Sequence, residues 1–161
     1  MAVKVGDRLP ADLKLKEMTD GGPKDVTVGD LFKGKRIVLF AVPGAFTPTC
    51  SMKHLPGYVE QSTAIRKKGV DEIVCVSVND AFVMGAWGRA NSADGKVRLL
   101  ADGNGEFTKA VGLTLDASGF GMGQRSQRYA AIIKDGVVEQ LFVDPGPGLT
   151  ISGADAVLGK L

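Results

Sequence analysis

Residues 36–58 read RIVLFAVPGAFTPTCSMKHLPGY, passing from an apolar run through a proline-bearing turn to a cysteine and then to helical spacing. The first seven, Arg36 to Val42, lie between Gly34 and Pro43 and show no polar alternation. A continuous apolar run of that length predicts a central strand buried on both faces. Beyond the turn, Leu55, Tyr58, Val59, Ser62 and Ile65 recur at helical spacing until Lys67, Lys68 and Gly69 close the segment. The spacing predicts a helix over 50–68, with a kink or break near 52–56 because Pro56 has no N–H to donate. Cys50 therefore stands where a buried strand hands the chain to a helix.

Working outward, DEIVCVSVND (71–80) is a second strand, and Phe82, Val83, Ala86, Trp87 and Ala90 mark an amphipathic helix after it. VRLLAD (97–102) is a third strand candidate and NGEFTKAVGL (104–113) a short helix. Residues 128–143 carry Asp135-Gly136 between apolar runs, the signal of a tight hairpin. Near the N-terminus, LKLKEM and DVTVGD, joined by a turn at Gly21, Gly22 and Pro23, predict a further hairpin at an edge of the fold. Ser152 is placed to cap a last helix, GADAVLGKL. The sum is an α/β domain over 1–161: a mixed central sheet with parallel strands from βαβ units, antiparallel hairpins and helices on both faces.

With 161 residues, 44% hydrophobic and 24% charged, the chain is long enough for one core without a disulfide or metal staple. The net charge of +2 is spread among scattered lysines, arginines and carboxylates, so no nucleic-acid surface is expected. No apolar run approaches the roughly 20 residues that span a bilayer, and the first residues lack a signal-peptide core. No membrane partner and a cytoplasmic address are the expectations. Two cysteines without CxxC spacing and a single histidine argue against zinc and against a disulfide framework.

Each thiol is then packing or chemistry. Cys75, inside IVCVSV, reads as a small core hydrophobe. Cys50 has the free N–H groups and positive dipole end of a first helical turn beside it. A free thiol ionises near 8.5, and making it a useful nucleophile at neutral pH takes about two units, roughly 2.7 kcal/mol. A helix end supplies only about 0.3–2 kcal/mol, so a cation must stand close in space. Lys53 and His54 are the local candidates, although a solvated lysine and an ordinary packed or surface histidine are the favoured readings; Arg125 and Arg128 are the distant ones, and a planar guanidinium suits an anionic oxygen substrate best.

PGAFTPTC (43–50) has a PxxxTxxC arrangement. Placed between a strand and a helix, and with VCVSVNDAFVMGAWG, VRLLAD and VKVGDRLP in the same order, it resembles the peroxiredoxins, in their type II branch, over nearly the whole chain. The resemblance implies a thioredoxin-like fold and a thiol-dependent peroxidase working in antioxidant defence, with no metal and no organic cofactor. It implies that Cys50 attacks the terminal oxygen of a hydroperoxide to give a sulfenic acid. By the same carry-over, Thr47 places a hydroxyl between thiolate and peroxide, Pro43 shields the pocket, the Cys50 N–H donates to a peroxide oxygen, and Arg128, directly before Tyr129, is the arginine, with Arg125 as second choice. Relatives form a dimer beside the site through regions matching 44–46, Phe82, Trp87 and Phe120, so a homodimer is expected.

One departure bears on turnover. Animal members carry a resolving cysteine where this chain has Ile151, in GLTISGADAV. One-cysteine turnover by an external thiol is therefore expected, with glutathione and glutaredoxin favoured and thioredoxin as the alternative. Two rival readings are a peroxide-sensing signalling protein with poor turnover and a thiol-disulfide oxidoreductase, the second disfavoured by the missing CxxC.

Overall fold

The computed structural model describes residues 2–146 and 148–161. Seven strands form one sheet in the order β2-β1-β5-β4-β3-β8-β9. They are β1 (Lys14–Thr19), β2 (Gly22–Thr27), β3 (Arg36–Val42), β4 (Glu72–Ser77), β5 (Arg98–Ala101), β8 (Tyr129–Lys134) and β9 (Val137–Val143); β6 (Thr114–Asp116) and β7 (Gln124–Ser126) pair separately. The helices are α1 (Val28–Phe32), α2 (Leu55–Glu60), α3 (Ser62–Lys67), α4 (Ala81–Ala90), α5 (Glu106–Ala110) and α6 (Ala154–Leu158). Strands β3, β4 and β5 run parallel, while β1 and β8 flank them antiparallel, so the sheet is mixed and the fold is thioredoxin-like.

The pleat of β3 explains its unbroken apolar sequence. Val38, Phe40 and Val42 face one core together with Leu55, Tyr58, Ile65, Met84, Trp87 and Val157; Ile37, Leu39 and Ala41 face the other with Leu31, Phe32 and Phe107. Successive side chains of a strand point to opposite faces, and with helices on both faces neither set can be polar. Full burial of each Val, Ile, Leu or Phe side chain among them contributes about 1.5–3 kcal/mol. The Phe40 and Tyr58 rings stack at 4.0 Å between centroids, tying β3 to α2.

Three expectations need correction. In the helix after the turn the irregularity expected near 52–56 is present, as a π-helical turn over Cys50–His54 between the opening residues Pro48 and Thr49 and α2, but a second, unexpected break at Gln61 precedes α3. Pro56 sits in the first turn of α2, where a missing N–H costs least, and the widened turn ahead of it is closed by Leu55 N–H donated to Cys50 O. The N-terminal hairpin turns at Asp20-Gly21, leaving Gly22 and Pro23 inside β2; β2 is an edge strand, which tolerates a proline, and the second half of DVTVGD becomes α1. Finally, Gly153 rather than Ser152 is the N-cap of α6, because the Ser152 hydroxyl is committed to Asp144.

The Asp135-Gly136 turn joins β8 to β9 as read, with φ of 48° and 78°, left-handed at both central positions as a tight hairpin of this kind requires. The two-stranded β6–β7 unit had no signal in the alternation of its short, polar strands.

Candidate active site

The parallel strands end on the side where β3 passes into Pro43, a side on which open α/β sheets gather ligands. Asn79 fixes this turn by accepting from Ala45 N–H at 3.0 Å, and Thr47 holds its own loop by donating its hydroxyl to Gly44 O at 2.7 Å. Ser51 N–H then bonds Thr47 O at 2.9 Å, which starts the helix and puts Cys50 in its first turns. The Cys50 side chain is fully buried against the face of the sheet that carries Phe40 and Cys75.

Arg128 arrives from the neighbouring strand. Tyr129 pairs with Ala41 in the antiparallel β3–β8 ladder, so the residue before it stands next to the C-terminal end of β3. From there Arg128 Nη2 donates to Cys50 Sγ at 3.1 Å and Nη1 lies 2.8 Å from His54 Nδ1. Among the described residues the Nε of Arg128 has no hydrogen-bond partner. A charged donor fixed on sulfur in a dry pocket stabilises negative charge there and costs no reorganisation when the charge reacts.

His54 is not the cation. Burial first, and then the positive Arg128 guanidinium, push its pKa down to about 3, so the ring is neutral at ordinary pH. Since the guanidinium can only donate, Nδ1 must be the bare nitrogen, and the proton sits on Nε2, donated to Ser152 O at 3.0 Å. Tyr58 Oη–H donates to the same carbonyl at 2.7 Å. Lys53 points out into solvent. Arg125 is half-buried and occupied elsewhere, donating to Met122 O at 2.9 Å and Val78 O at 3.0 Å.

The structure thus brings Cys50, Arg128 and His54 together, with Thr47 and Pro43 on the loop beside them and Lys53 and Arg125 outside. Cys75 pairs with Phe40 across β3 and β4 and is fully buried; burial, and then the proximity of Cys50, hold its thiol well above the ordinary value despite an opposing pull from Arg128. It is a neutral thiol in a strand. Sequence reasoning missed Ser152, Tyr58 and Asp144 as parts of the site. The one available signal was an aspartate directly after an apolar strand, in LFVDPG.

A buried thiol held by a guanidinium at the carboxyl end of a thioredoxin-like sheet defines a thiol-based redox protein. Residues 4–158 match the Redoxin family. The chain is 51% identical over 163 residues to the chloroplastic peroxiredoxin-2E-2 of rice, covering 99% of this chain and 72% of that one, and 48% identical over 161 residues to rice peroxiredoxin-2C, covering 99% and 98%. The crystal structure of reduced Prx3 of Vibrio vulnificus in complex with H2O2 superimposes with a TM-score of 0.93 at 50% identity, covering 98% of each chain. The chain belongs to the peroxiredoxins, in the type II branch, and is a thiol peroxidase.

Proposed function

We propose that Cys50 is the peroxidatic cysteine and that the chain turns over with this one cysteine, reduced by an external thiol. The observation that carries the reading is the 3.1 Å bond from Arg128 Nη2 to Cys50 Sγ inside a buried site. The thiolate sulfur attacks the terminal oxygen of a hydroperoxide; the S–O bond forms, the O–O bond breaks, and the departing alkoxide or hydroxide takes a proton to leave as alcohol or water. Arg128 stabilises the sulfur before attack and the oxygens as charge moves onto them. Thr47 orients the peroxide through its hydroxyl, whose proton is donated to Gly44 O and whose lone pairs remain to accept, and Pro43 keeps water from the sulfur. The Vibrio relative's capture with hydrogen peroxide supports that substrate class.

Resolution then falls to a second thiol, which displaces the sulfenic hydroxyl as water and forms a mixed disulfide with Cys50. Cys75 is a poor candidate, being neutral and locked in β4. Ile151 occupies the position of the animal resolving cysteine. Glutathione with glutaredoxin is the favoured donor, because a slender tripeptide thiol reaches a buried sulfur with less opening than a folded protein does; thioredoxin is the alternative. A homodimer is supported by Phe46 in the turn after β3, Phe82 in the first turn of α4 and Phe120 between β6 and β7, which are 55%, 67% and 86% exposed on segments tied together by the Asn79 and Arg125 bonds. Two free thiols suit a reducing compartment, and the cytoplasm remains the proposed address.

The test is steady-state peroxide consumption with glutathione plus glutaredoxin against thioredoxin plus its reductase, in wild type and Cys75→Ser. Turnover with glutaredoxin that survives the substitution supports the reading. Turnover with thioredoxin alone, lost in Cys75→Ser, would assign resolution to Cys75.

A further inference from the structure

A chain of buried hydrogen bonds leads away from Arg128 and ends on a carboxylate. Arg128 Nη1 donates to His54 Nδ1 at 2.8 Å, and His54 Nε2 donates to Ser152 O at 3.0 Å. The Ser152 carbonyl can serve only if its backbone is held, and Asp144 holds it. Asp144 Oδ1 accepts from Thr150 N–H at 3.1 Å, Ile151 N–H at 2.8 Å and the Thr150 hydroxyl; Oδ2 accepts from Ser152 N–H at 3.3 Å and the Ser152 hydroxyl. Asp144 N–H in turn donates to Arg128 O at 2.9 Å, so the loop's anchor is bonded to the backbone of the arginine that the chain of bonds serves. Both Asp144 and Ser152 are buried.

We propose that Asp144 is a positioning residue of the peroxidase site: by fixing the Ser152 carbonyl it keeps the His54 proton on Nε2, leaving Nδ1 bare to hold Arg128 on Cys50. The proposal rests on the roles given above to Cys50 and Arg128. It follows from donor and acceptor inventory. Five donors converge on one carboxylate, whose two oxygens offer about four lone-pair sites and no donor, so its acceptor capacity is fully used. An asparagine would turn an NH2 group toward one set of those donors and release that side of the loop. With Ser152 O displaced, the Nε2–H form loses its acceptor and only the guanidinium still favours it; a ring that shifts to the Nδ1–H form aims an N–H at a group that can only donate, and the fork on Cys50 loses its second anchor.

His54 is the single histidine of the chain, so its ring nitrogens are read without ambiguity by 15N NMR of the reduced protein. The wild type is expected to show a protonated Nε2 and a bare Nδ1 across neutral pH. Asp144→Asn is expected to move the ring toward the Nδ1–H form and to slow the reaction with hydrogen peroxide about 10- to 100-fold, the weight carried by partners that orient metal-bound histidines. Asp144→Glu is expected to recover part of both. If Asp144→Asn does not fold, Ser152→Ala removes one donor and leaves the carbonyl, with the same direction at smaller size. A wild type protonated on Nδ1, a variant whose tautomer does not change, or a changed tautomer with an unchanged rate would each overturn the proposal. A wild type that reduces no peroxide would overturn the reading beneath it, and that failure is told apart because the tautomer is read without turnover.

Discussion

Arg128 Nη2 donates to Cys50 Sγ at 3.1 Å across 78 positions of sequence, joining the strand end of β8 to the π-helical turn after β3. A single guanidinium thereby orders both the sulfur and the neutral imidazole behind it. Its removal should be felt in chemistry more than in folding. Arg128→Ala is expected to slow peroxide reduction about 10- to 100-fold, since a hydrogen bond to a charged group contributes about 1.5–3 kcal/mol and 1.4 kcal/mol is tenfold. Arg128→Lys should fall well short of wild type, because one ammonium cannot span Cys50 and His54 in a fixed fork. Single-turnover kinetics with hydrogen peroxide check this, and an unchanged rate would move the role elsewhere.

Cys50→Ser should abolish peroxide reduction, while Cys75→Ser keeps most of it. The second thiol is buried in β4 and held protonated, so its loss trims packing, not chemistry. Comparable losses in both variants would overturn one-cysteine turnover.

Trp87 Nε1–H donates to the Ser51 hydroxyl at 2.9 Å, one residue from Cys50. Oxidation adds an oxygen to a sulfur packed on all sides, so the π-helical turn must shift and disturb this bond. One equivalent of peroxide is therefore expected to change the emission of this single tryptophan in wild type and not in Cys50→Ser.

His54 predicts acid lability with a defined sign. Its folded pKa, about 3, lies below the ordinary 6.5, so between these values the unfolded chain binds a proton that the folded protein refuses. Stability is full above pH 6.5 and falls as pH drops toward 3, at a limiting slope of about 1.4 kcal/mol per pH unit from this group. Denaturant unfolding between pH 6.5 and 5, above the carboxylate range, should show the slope in wild type and lose it in His54→Gln.

Much of this molecule was legible in its sequence because the deciding signals are local. The unbroken apolar run of β3, the left-handed pair Asp135-Gly136 and a cysteine after a proline-bearing turn each act within a few residues, and they define the mixed sheet, the late hairpin and the reactive position. What the tertiary structure alone decided concerns contacts between distant segments. Arg125 and Arg128 stand three residues apart with the same chemistry; only the register that sets Tyr129 opposite Ala41 puts one on the sulfur and sends the other to Met122 and Val78. His54 looked like an ordinary packed or surface ring or a cation, and burial beside a guanidinium makes it a neutral acceptor. Ser152 looked like a helix cap, until Asp144 gathered its loop. Strand and turn preferences are written in neighbouring residues, whereas the charge and hydrogen-bond role of a polar side chain is set by whatever the fold brings to its other end.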